Sequence, residues 1–267
     1  MSWINPIALQ LGPFSIHWYG LMYAITFLIA YFILKYHRLA RKLPLNENQK
    51  DNLLVSIILG IILGGRLGYI LFYNLNYYLQ NPLEIPAIWK GGLSFHGGLI
   101  GTIIAVAIYA HLHRKEKHLF LKITDIAVLI TPIGIMLGRI GIFINGELYG
   151  RVASNLCLNF PTDPFNCRYP SQLFESLGEG LLLGLFLHLL ARNNKISSHP
   201  GQLSTIFLIA YGLIRFLIEY TREPDSQLGY LLGAAGFFQG LTLGQILSLL
   251  MSLAGAAIWL KLRRNLK

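Results

Sequence analysis

The stretch IAVLITPIGIMLGRIGIFINGELYGR, residues 126–151, decides the fold of this chain. It begins as a continuous apolar run, and it carries Arg139, Asn145 and Glu147 toward its end. An apolar run of this length is typical of a helix that crosses a bilayer. An arginine at the centre of such a helix costs about 2.5–3.5 kcal/mol on insertion scales, so it usually faces a polar interior or an interface. Arg139 therefore marks a position that needs a partner or a function.

The composition of the whole chain agrees with a membrane protein. Of its 267 residues, 54% are hydrophobic and only 13% are charged, and the mean hydropathy is +0.52. Charged residues make up about a quarter of an ordinary soluble domain. A hydrocarbon core roughly 30 Å thick takes about 20 helical residues. The sequence predicts an all-α polytopic membrane protein with about seven such helices, at residues 17–36, 52–73, 93–112, 123–145, 172–191, 202–220 and 241–260.

The basic residues predict the orientation of these helices. If the N-terminus lies outside, fifteen Lys and Arg residues fall in segments that face inward and four fall in segments that face outward. Positive residues favour the inner side of a membrane, so we expect the N-terminus out and the C-terminus in. This asymmetry also accounts for the formal charge of +10, and it gives no reason to expect a nucleic-acid partner.

The chain is expected to form a single integral domain over residues 1–267, because no internal repeat, low-complexity tract or long linker interrupts it. Its longest outward loops are predicted at residues 74–92, 146–171 and 221–240. Cys157 and Cys167 both lie in the second of these loops. A disulfide and a pair of free thiols are both compatible with the sequence.

Polar side chains of the predicted helices converge on the outer side. Each of the three arginines inside a helix occupies the outer half of that helix. The other polar residues are grouped at the same ends, and with those arginines the set is His17, Tyr19, Arg66, His96, Arg139, Asn145, Glu147, Gln172, Glu175, Tyr211, Arg215, Glu219 and Arg222. This convergence predicts an amphiphilic substrate whose polar group lies near the outer surface.

Several of these residues also allow a purely structural interpretation. Arg66 could snorkel to the interface or pair with another helix, or it could take part in function. Arg215 and Glu219 are four residues apart on one helical face and could form only a structural ion pair. The glycines at 60, 64 and 68 recur every four residues, as do those at 134 and 138, a spacing that favours close helix packing.

Other common chemistries are absent in recognisable form. The sequence has no G-x-S-x-G elbow, no G-x-x-x-x-G-K-[ST] phosphate loop and no H-E-x-x-H pair, which disfavours a serine hydrolase, an ATP-driven pump and a zincin. The segment HLHRKEKH at 111–118 lies in an inward basic loop and lacks a defined ligand spacing. We therefore expect no metal and no cofactor.

Six ordered blocks of sequence resemble the prolipoprotein diacylglyceryl transferase family. The blocks are HWYGLMY (17–23), GGRLGYILFYN (64–74), GGLSFHGGLIG (91–101), GRIGIFINGELYGR (138–151), RYPSQLFES (168–176) and YGLIRFLIEYTREPD (211–225). The resemblance implies transfer of a diacylglyceryl group from phosphatidylglycerol to the lipobox cysteine of a prolipoprotein signal peptide, with glycerol phosphate released. It also implies a bacterial cytoplasmic (inner) membrane, with the site toward the outer leaflet and membrane lipids around it.

The same resemblance implies roles for particular residues. The catalytic set is His96, Arg215 and Tyr19, and the substrate-binding set is Arg139, Asn145, Glu147, Gly150, Tyr211 and Glu219. One position departs from the family pattern, because Ile142 stands where the family usually has asparagine. Two rival functions use similar residues. A lipid acyltransferase would form an ester or amide, and a lipid transporter or flippase would form no covalent product.

Overall fold

The computed structural model describes residues 4–12, 14–113, 116–223, 230–232 and 240–264. Within these ranges, seven helices are long and apolar enough to cross a membrane, which confirms the predicted all-α polytopic fold. They are α1 (Trp18–Tyr36), α2 (Glu47–Tyr73), α3 (Phe95–Leu112), α4 (Leu119–Asn145), α5 (Ser171–Arg192), α6 (Gln202–Thr221) and α7 (Leu243–Arg264). The orientation of the helices stays a prediction. Three of the basic residues on which it depends, Arg114, Lys115 and Lys267, lie outside the described residues.

Two compact units make up the chain, one from Met1–Ala30 with Thr124–Lys267 and the other from Tyr31–Ile123. In the first unit, α4 packs on α1 and α5 where glycines replace larger residues. A Cβ added at Gly180 of α5 would lie 2.6 Å from the Cβ of Met136, so only glycine fits this approach. The start of α6 is held by Asp125 of α4, which accepts from the backbone N–H of Gly201 at 2.7 Å and that of Ser204 at 2.8 Å.

The second unit is built on the contact between α2 and α3. A Cβ at Gly64 would clash with the carbonyl of Gly97, and a Cβ at Gly60 would lie 2.7 Å from the carbonyl oxygen of Gly101. The predicted close packing is thereby confirmed for this glycine repeat. The prediction of close packing is wrong for Gly138 of α4, because a Cβ there would have no other atom within 4 Å.

Small elements that the hydropathy pattern did not predict lie between the spanning helices. Three two-stranded antiparallel sheets pair β1 (Ile7–Leu11) with β2 (Phe14–His17), β3 (Leu158–Phe160) with β4 (Asp163–Arg168) and β5 (Tyr230–Leu232) with β6 (Leu241–Thr242). His17 was expected to begin the first helix, but it is the last residue of β2. Short helices add Arg38–Arg41, Leu75–Gln80, Pro82–Glu84, Ile88–Lys90 and Asn194–Ser197.

The loops predicted to face outward contain most of these elements. The predicted loop 74–92 carries three of the short helices, and the predicted loop 146–171 carries β3 and β4. Cys157 and Cys167 form a disulfide across this hairpin, with their Cα atoms 5.2 Å apart, which decides between the two states left open by the sequence. Of the third predicted loop, 221–240, residues 224–229 and 233–239 lie outside the described residues. A single domain over the whole chain stays a prediction.

Candidate active site

Three arginines and three glutamates form a buried cluster in the first unit. Helix α4 supplies Arg139 and α5 supplies Glu175 and Glu179, while α6 and the residue after it supply the other three members, Arg215, Glu219 and Arg222. We call these six residues the arginine–glutamate cluster. Their formal charges balance. Because each charge is removed from most of the water, its partners must supply the stabilisation that hydration would otherwise give.

Glu175 is the centre of the cluster. Its Oε2 lies 2.6 Å from Arg139 Nε and 2.9 Å from Arg215 Nη1, and its Oε1 lies 2.6 Å from Arg222 Nη1. One carboxylate therefore holds all three guanidinium groups. The Glu175 side chain is fully buried, whereas the three arginine side chains keep 15–21% of their surface exposed. The negatively charged carboxylate is therefore buried, and the positively charged arginine side chains are partly exposed.

Arg215 is shared among three carboxylates. Besides Glu175, its Nη1 lies 3.2 Å from Glu179 Oε1 and its Nη2 lies 3.1 Å from Glu219 Oε2. The ion pair expected from the four-residue spacing of Arg215 and Glu219 is present, but it is one bond of a network across two helices. Such a network restrains the guanidinium group, because Nη1 donates to two carboxylates of α5 and Nη2 is paired with a third carboxylate on α6.

Arg139 is held through a single atom. Its Nε contacts Glu175, and its Nη groups make no hydrogen bond to another residue in the part of the chain that the structure describes. The Arg139 side chain is also the most exposed of the three, at 21%. A guanidinium fixed at Nε with both Nη groups open can donate two parallel hydrogen bonds to a carboxylate or phosphate.

A π-helical segment places the two glutamates of α5. Residues Ser176–Leu182 adopt this wider helix directly after Glu175, and Glu179 lies inside it. Such segments are rare in proteins, and those that occur are often found at functional sites. Glu179 is fully buried, and its Oε2 has no hydrogen-bond partner among the described residues.

The remaining residues predicted in this unit lie around the cluster. The Tyr19 hydroxyl bonds to the Tyr23 hydroxyl at 2.9 Å, and the Tyr19 Cα would lie 3.2 Å from a Cβ at Gly141, two residues after Arg139. The Tyr211 ring stacks on Phe207 with centroids 5.4 Å apart, one turn before Arg215 on α6. Tyr211 thus lies on the same helix as Arg215, and Tyr19 lies on a helix that contacts the helix of Arg139.

The end of α4 supplies the other predicted binding residues. The Asn145 Oδ1 is buried and has no hydrogen-bond partner in the described part of the chain. The Glu147 side chain is exposed, and its carbonyl accepts a hydrogen bond from Gln172 Nε2 of α5. Gly150 has no space for a side chain, because a Cβ there would clash with the Thr221 carbonyl. The absence of a side chain at Gly150 allows this residue to form an antiparallel β-bridge with Arg222.

The loop after α4 is tied to the cluster by further charged contacts. Arg151 donates its Nε to the Arg222 carbonyl at 2.7 Å, which holds the backbone of that cluster residue. Arg168 Nε lies 2.7 Å from Asp163 Oδ2, and Arg168 Nη1 lies 2.7 Å from Glu223 Oε2. Desolvation opposes ionisation of Asp163, but the hydrogen bonds from Arg168 and Asn166 are together stronger, so the pKa of Asp163 is lowered.

His96 belongs to the second unit. It is an exposed residue in the first turn of α3, and its ring packs edge-on against Phe95 with centroids 5.7 Å apart. Its place in one catalytic set with Arg215 and Tyr19 stays a prediction. The loop segment 111–118 was not expected to hold a metal, and among the described residues no group of three His, Cys, Asp or Glu side chains is placed to bind one.

Sequence reasoning did not assign a site role to Glu175, Glu179 or Arg222. Glu175 and Arg222 were grouped with the outer polar residues, but nothing in their spacing showed that Glu175 joins three arginines from two other elements. Glu179 belongs to none of the sequence blocks or polar groups that predicted the site. Its signal is its position four residues after Glu175 in an otherwise apolar helix, where a second carboxylate requires a cationic partner.

The fold and the cluster together define a multi-pass membrane protein with a buried charged site at the ends of α4, α5 and α6. Its sequence is matched over residues 6–261 by the family model of prolipoprotein diacylglyceryl transferase. The chain belongs to this family, and it is a transferase.

Its curated relatives match over nearly the whole length. The phosphatidylglycerol–prolipoprotein diacylglyceryl transferase of Rhodospirillum rubrum is 43% identical over 264 residues, which cover 98% of this chain and 93% of the relative. The protein of that name from Francisella tularensis subsp. tularensis is 45% identical over 269 residues, covering 98% and 96%. The one from Aeromonas salmonicida is 42% identical over 265 residues, covering 98% and 92%.

Proposed function

We propose that this chain transfers the diacylglyceryl group of phosphatidylglycerol to the lipobox cysteine thiol of prolipoproteins, the first step of lipoprotein maturation. The match to relatives of this name over 98% of the chain carries the proposal. In the reaction a carbon–sulfur bond forms at the glyceryl carbon as the carbon–oxygen bond to phosphate breaks. Glycerol phosphate leaves with the electron pair, and the thiol proton passes to a base.

Arg139 supplies the phosphate contact. Its Nε lies 2.6 Å from Glu175, and its two open Nη groups are available to donate a pair of hydrogen bonds to an incoming anion. A phosphate oxygen gains charge as the carbon–oxygen bond breaks, and donors fixed in advance at that position stabilise the transition state. Because the fork is oriented before substrate binds, little reorganisation is needed during the reaction.

Arg215 acts from the same cluster. Its contacts with Glu175, Glu179 and Glu219 fix its orientation, and it shares the Glu175 carboxylate with Arg139. Tyr19 is the remaining catalytic candidate of this unit. Asn145, Glu147, Gly150, Tyr211 and Glu219 are the substrate-binding candidates. The buried and unpaired Asn145 Oδ1 is an acceptor that a hydroxyl of the glycerol headgroup would satisfy.

His96 is the proposed general base. A cysteine thiol with an ordinary pKa of about 8.5 is mostly protonated at neutral pH, so attack on carbon benefits from proton removal. A neutral imidazole can accept this proton. The exposed position of His96 in the first turn of α3 leaves its ring accessible to a substrate.

The proposed location is the bacterial cytoplasmic membrane, with the N-terminus and the cluster on the outer side. The excess of basic residues on the opposite side supports this orientation. The disulfide in the loop 146–171 also suits an oxidising compartment. Single cysteines at the exposed positions Ser154 and Lys117 test it with a membrane-impermeant thiol reagent in intact cells. We expect Ser154→Cys to be labelled and Lys117→Cys to be protected, and the reverse result would overturn the orientation.

The two rival functions are separated by the chemistry of the product. A lipid acyltransferase using the same arginines would leave an ester or amide on its acceptor, whereas the proposed reaction leaves a thioether. The purified protein is incubated with phosphatidylglycerol and a lipobox peptide, and the modified peptide is treated with mild alkali. We expect the glyceryl carbon to stay on the cysteine sulfur while the acyl esters are lost. Transfer of an acyl group alone would favour the acyltransferase, and the absence of any covalent product would favour a transporter.

A further inference from the structure

Arg66 of α2 is fully engaged by the backbone of one loop. The residue is 4% exposed. Arginine has five N–H donors, and here each is matched by a carbonyl. Nε donates to Ile85 at 2.8 Å, Nη1 donates to Gly91 at 2.6 Å and Gly92 at 3.2 Å, and Nη2 donates to Glu84 at 2.8 Å and Ala87 at 3.2 Å. The Tyr78 ring covers the guanidinium with its centroid 4.9 Å from Cζ.

This arrangement distinguishes Arg66 from the arginines of the cluster. Arg139 has two open Nη groups, whereas Arg66 has no donor left for a phosphate. The sequence left open whether Arg66 snorkels, pairs with a helix or takes part in function. Its contacts show a different role, because this one buried side chain donates hydrogen bonds to five backbone carbonyls of the segment 84–92. Their positions are set by a planar and rigid guanidinium group.

The segment held by Arg66 leads directly into the helix that carries His96. Gly91 has φ +81° and Gly92 has φ +78°, so the turn bound by Nη1 uses backbone conformations that favour glycine. Two residues later the Ser94 N–H donates to the carbonyl of Gly65, the neighbour of Arg66, at 2.9 Å. Ser94 is also the N-cap of α3, since its side chain accepts from the Gly97 N–H at 3.3 Å.

We propose that Arg66 is a positioning residue for His96. Gly65 and Arg66 hold the chain on both sides of Leu93, and through the Ser94 cap they fix where the first turn of α3 begins. His96 lies in that turn, so the orientation of its imidazole depends on the bonds of Arg66. This proposal rests on the proposed function of His96 as the base for the thiol.

The first test is the Arg66→Lys variant. Lysine keeps the charge but has three donors on one nitrogen, so it cannot reach all five carbonyls. We expect kcat to fall about 10- to 100-fold, because a shift of about 1 Å in a catalytic group has an effect of that size. The KM for phosphatidylglycerol should change less than about two-fold, since Arg66 does not bind the lipid. Unchanged kcat in a folded variant would overturn the proposal.

A double-mutant cycle shows whether Arg66 acts through His96. In a His96→Gln background, Arg66→Lys should lower kcat by less than about two-fold, because the group that it positions is already gone. If the two substitutions instead lower kcat independently, their fold-changes multiply, and Arg66 then acts by another route. Arg263→Lys serves as the control, because Arg263 is exposed and stacks on Trp259 near the end of α7.

Gly91→Ala repeats the cycle if Arg66→Lys does not fold. It strains the turn at φ +81° without removing a buried charge, and a Cβ there meets no atom within 4 Å. The same loss of kcat, confined to the background with intact His96, is expected. Gly12→Ala is the matched control, because Gly12 also has a positive φ of 57° and open space around it. A loss of kcat that persists without His96 would overturn the proposal.

A structural readout separates this proposal from the proposed function. Amide hydrogen exchange across residues 84–96 should be faster in Arg66→Lys than in the wild type, whether or not any product forms. Unchanged exchange would overturn the positioning role by itself. A wild-type protein that makes no thioether product, together with faster exchange in the variant, would instead refute the proposed function and leave Arg66 as an organiser of the loop alone.

Discussion

Arg139→Lys is the substitution that tests the phosphate contact most sharply. In the wild type, Nε is bound to Glu175 and two Nη groups are open, so the side chain can pair with a carboxylate and with a phosphate at once. Lysine keeps the positive charge but has one nitrogen at the end of a flexible chain. It can approach Glu175 or a phosphate, but it cannot offer the same fixed fork to the phosphate while it stays paired.

The expected magnitude follows from the donors that are lost. Removing one fixed donor to a developing oxyanion typically costs about 2.7–4 kcal/mol, or about 10²–10³ in kcat. Arg139→Lys loses the paired geometry of two donors and keeps a cation nearby, so we expect a fall in kcat of about 10²–10³-fold. Glu175 still contacts Arg215 and Arg222 at 2.9 and 2.6 Å, so its charge stays compensated. The melting temperature should therefore stay close to that of the wild type.

The assay follows thioether formation on a lipobox peptide with phosphatidylglycerol, alongside thermal unfolding of the same preparation in detergent. Arg263→Lys is the control and should keep wild-type turnover and melting temperature. Near-normal turnover of a folded Arg139→Lys protein would refute the bidentate phosphate contact. A fall in turnover accompanied by loss of the fold would show that Arg139 holds the cluster together and would remove the kinetic argument.

Three further predictions concern other parts of the site. Glu175→Gln removes the carboxylate that contacts three arginines, so the free energy of unfolding should fall by about 3–5 kcal/mol; a value within about 1 kcal/mol of the wild type in detergent unfolding would contradict this role. His96→Gln should lower turnover at neutral pH and recover part of it as the pH rises toward about 8.5, because the thiol then ionises without a base; near-normal turnover at neutral pH would exclude His96 as the base. Ile142→Asn should raise turnover, because it restores the amide usual in the family three residues after Arg139, and an unchanged or lower rate would show that no simple contact was lost.

The spanning helices were predictable because hydropathy reports their cores. Helix α2 begins at Glu47, earlier than the predicted residue 52, because its first turn is polar and is held by a capping box between Asn46 and Gln49. Helix α7 continues to Arg264 beyond the predicted residue 260, since basic residues extend a helix past the apolar core. The three strand pairs are too short for a periodic signal, and none was predicted.

The site was predictable in part. The predicted outer-end position of Arg139 and Arg215, together with the resemblance of their sequence blocks to the family, indicated a charged site. Hydropathy cannot show which carboxylates contact these arginines. Glu175 and Glu179 come from α5, and their pairing with arginines of α4 and α6 depends on how the three helices pack. The role of Arg66 was equally hard to predict from the sequence. Its sequence context resembles that of the other helix arginines, and only the contacts with five carbonyls distinguish it.

The most direct measurement of the proposed activity uses purified protein, phosphatidylglycerol labelled in its glycerol headgroup and a synthetic lipobox peptide. Mass spectrometry follows the peptide, and the released label is counted in the aqueous phase. The proposed reaction predicts that the cysteine gains one diacylglyceryl group for each glycerol phosphate released, and that an alanine in place of the peptide cysteine abolishes both products. Release of glycerol phosphate without modification of the cysteine would contradict this proposal. It would also be contradicted if this protein left the peptide unmodified while a curated relative, assayed in parallel as a positive control, modified it.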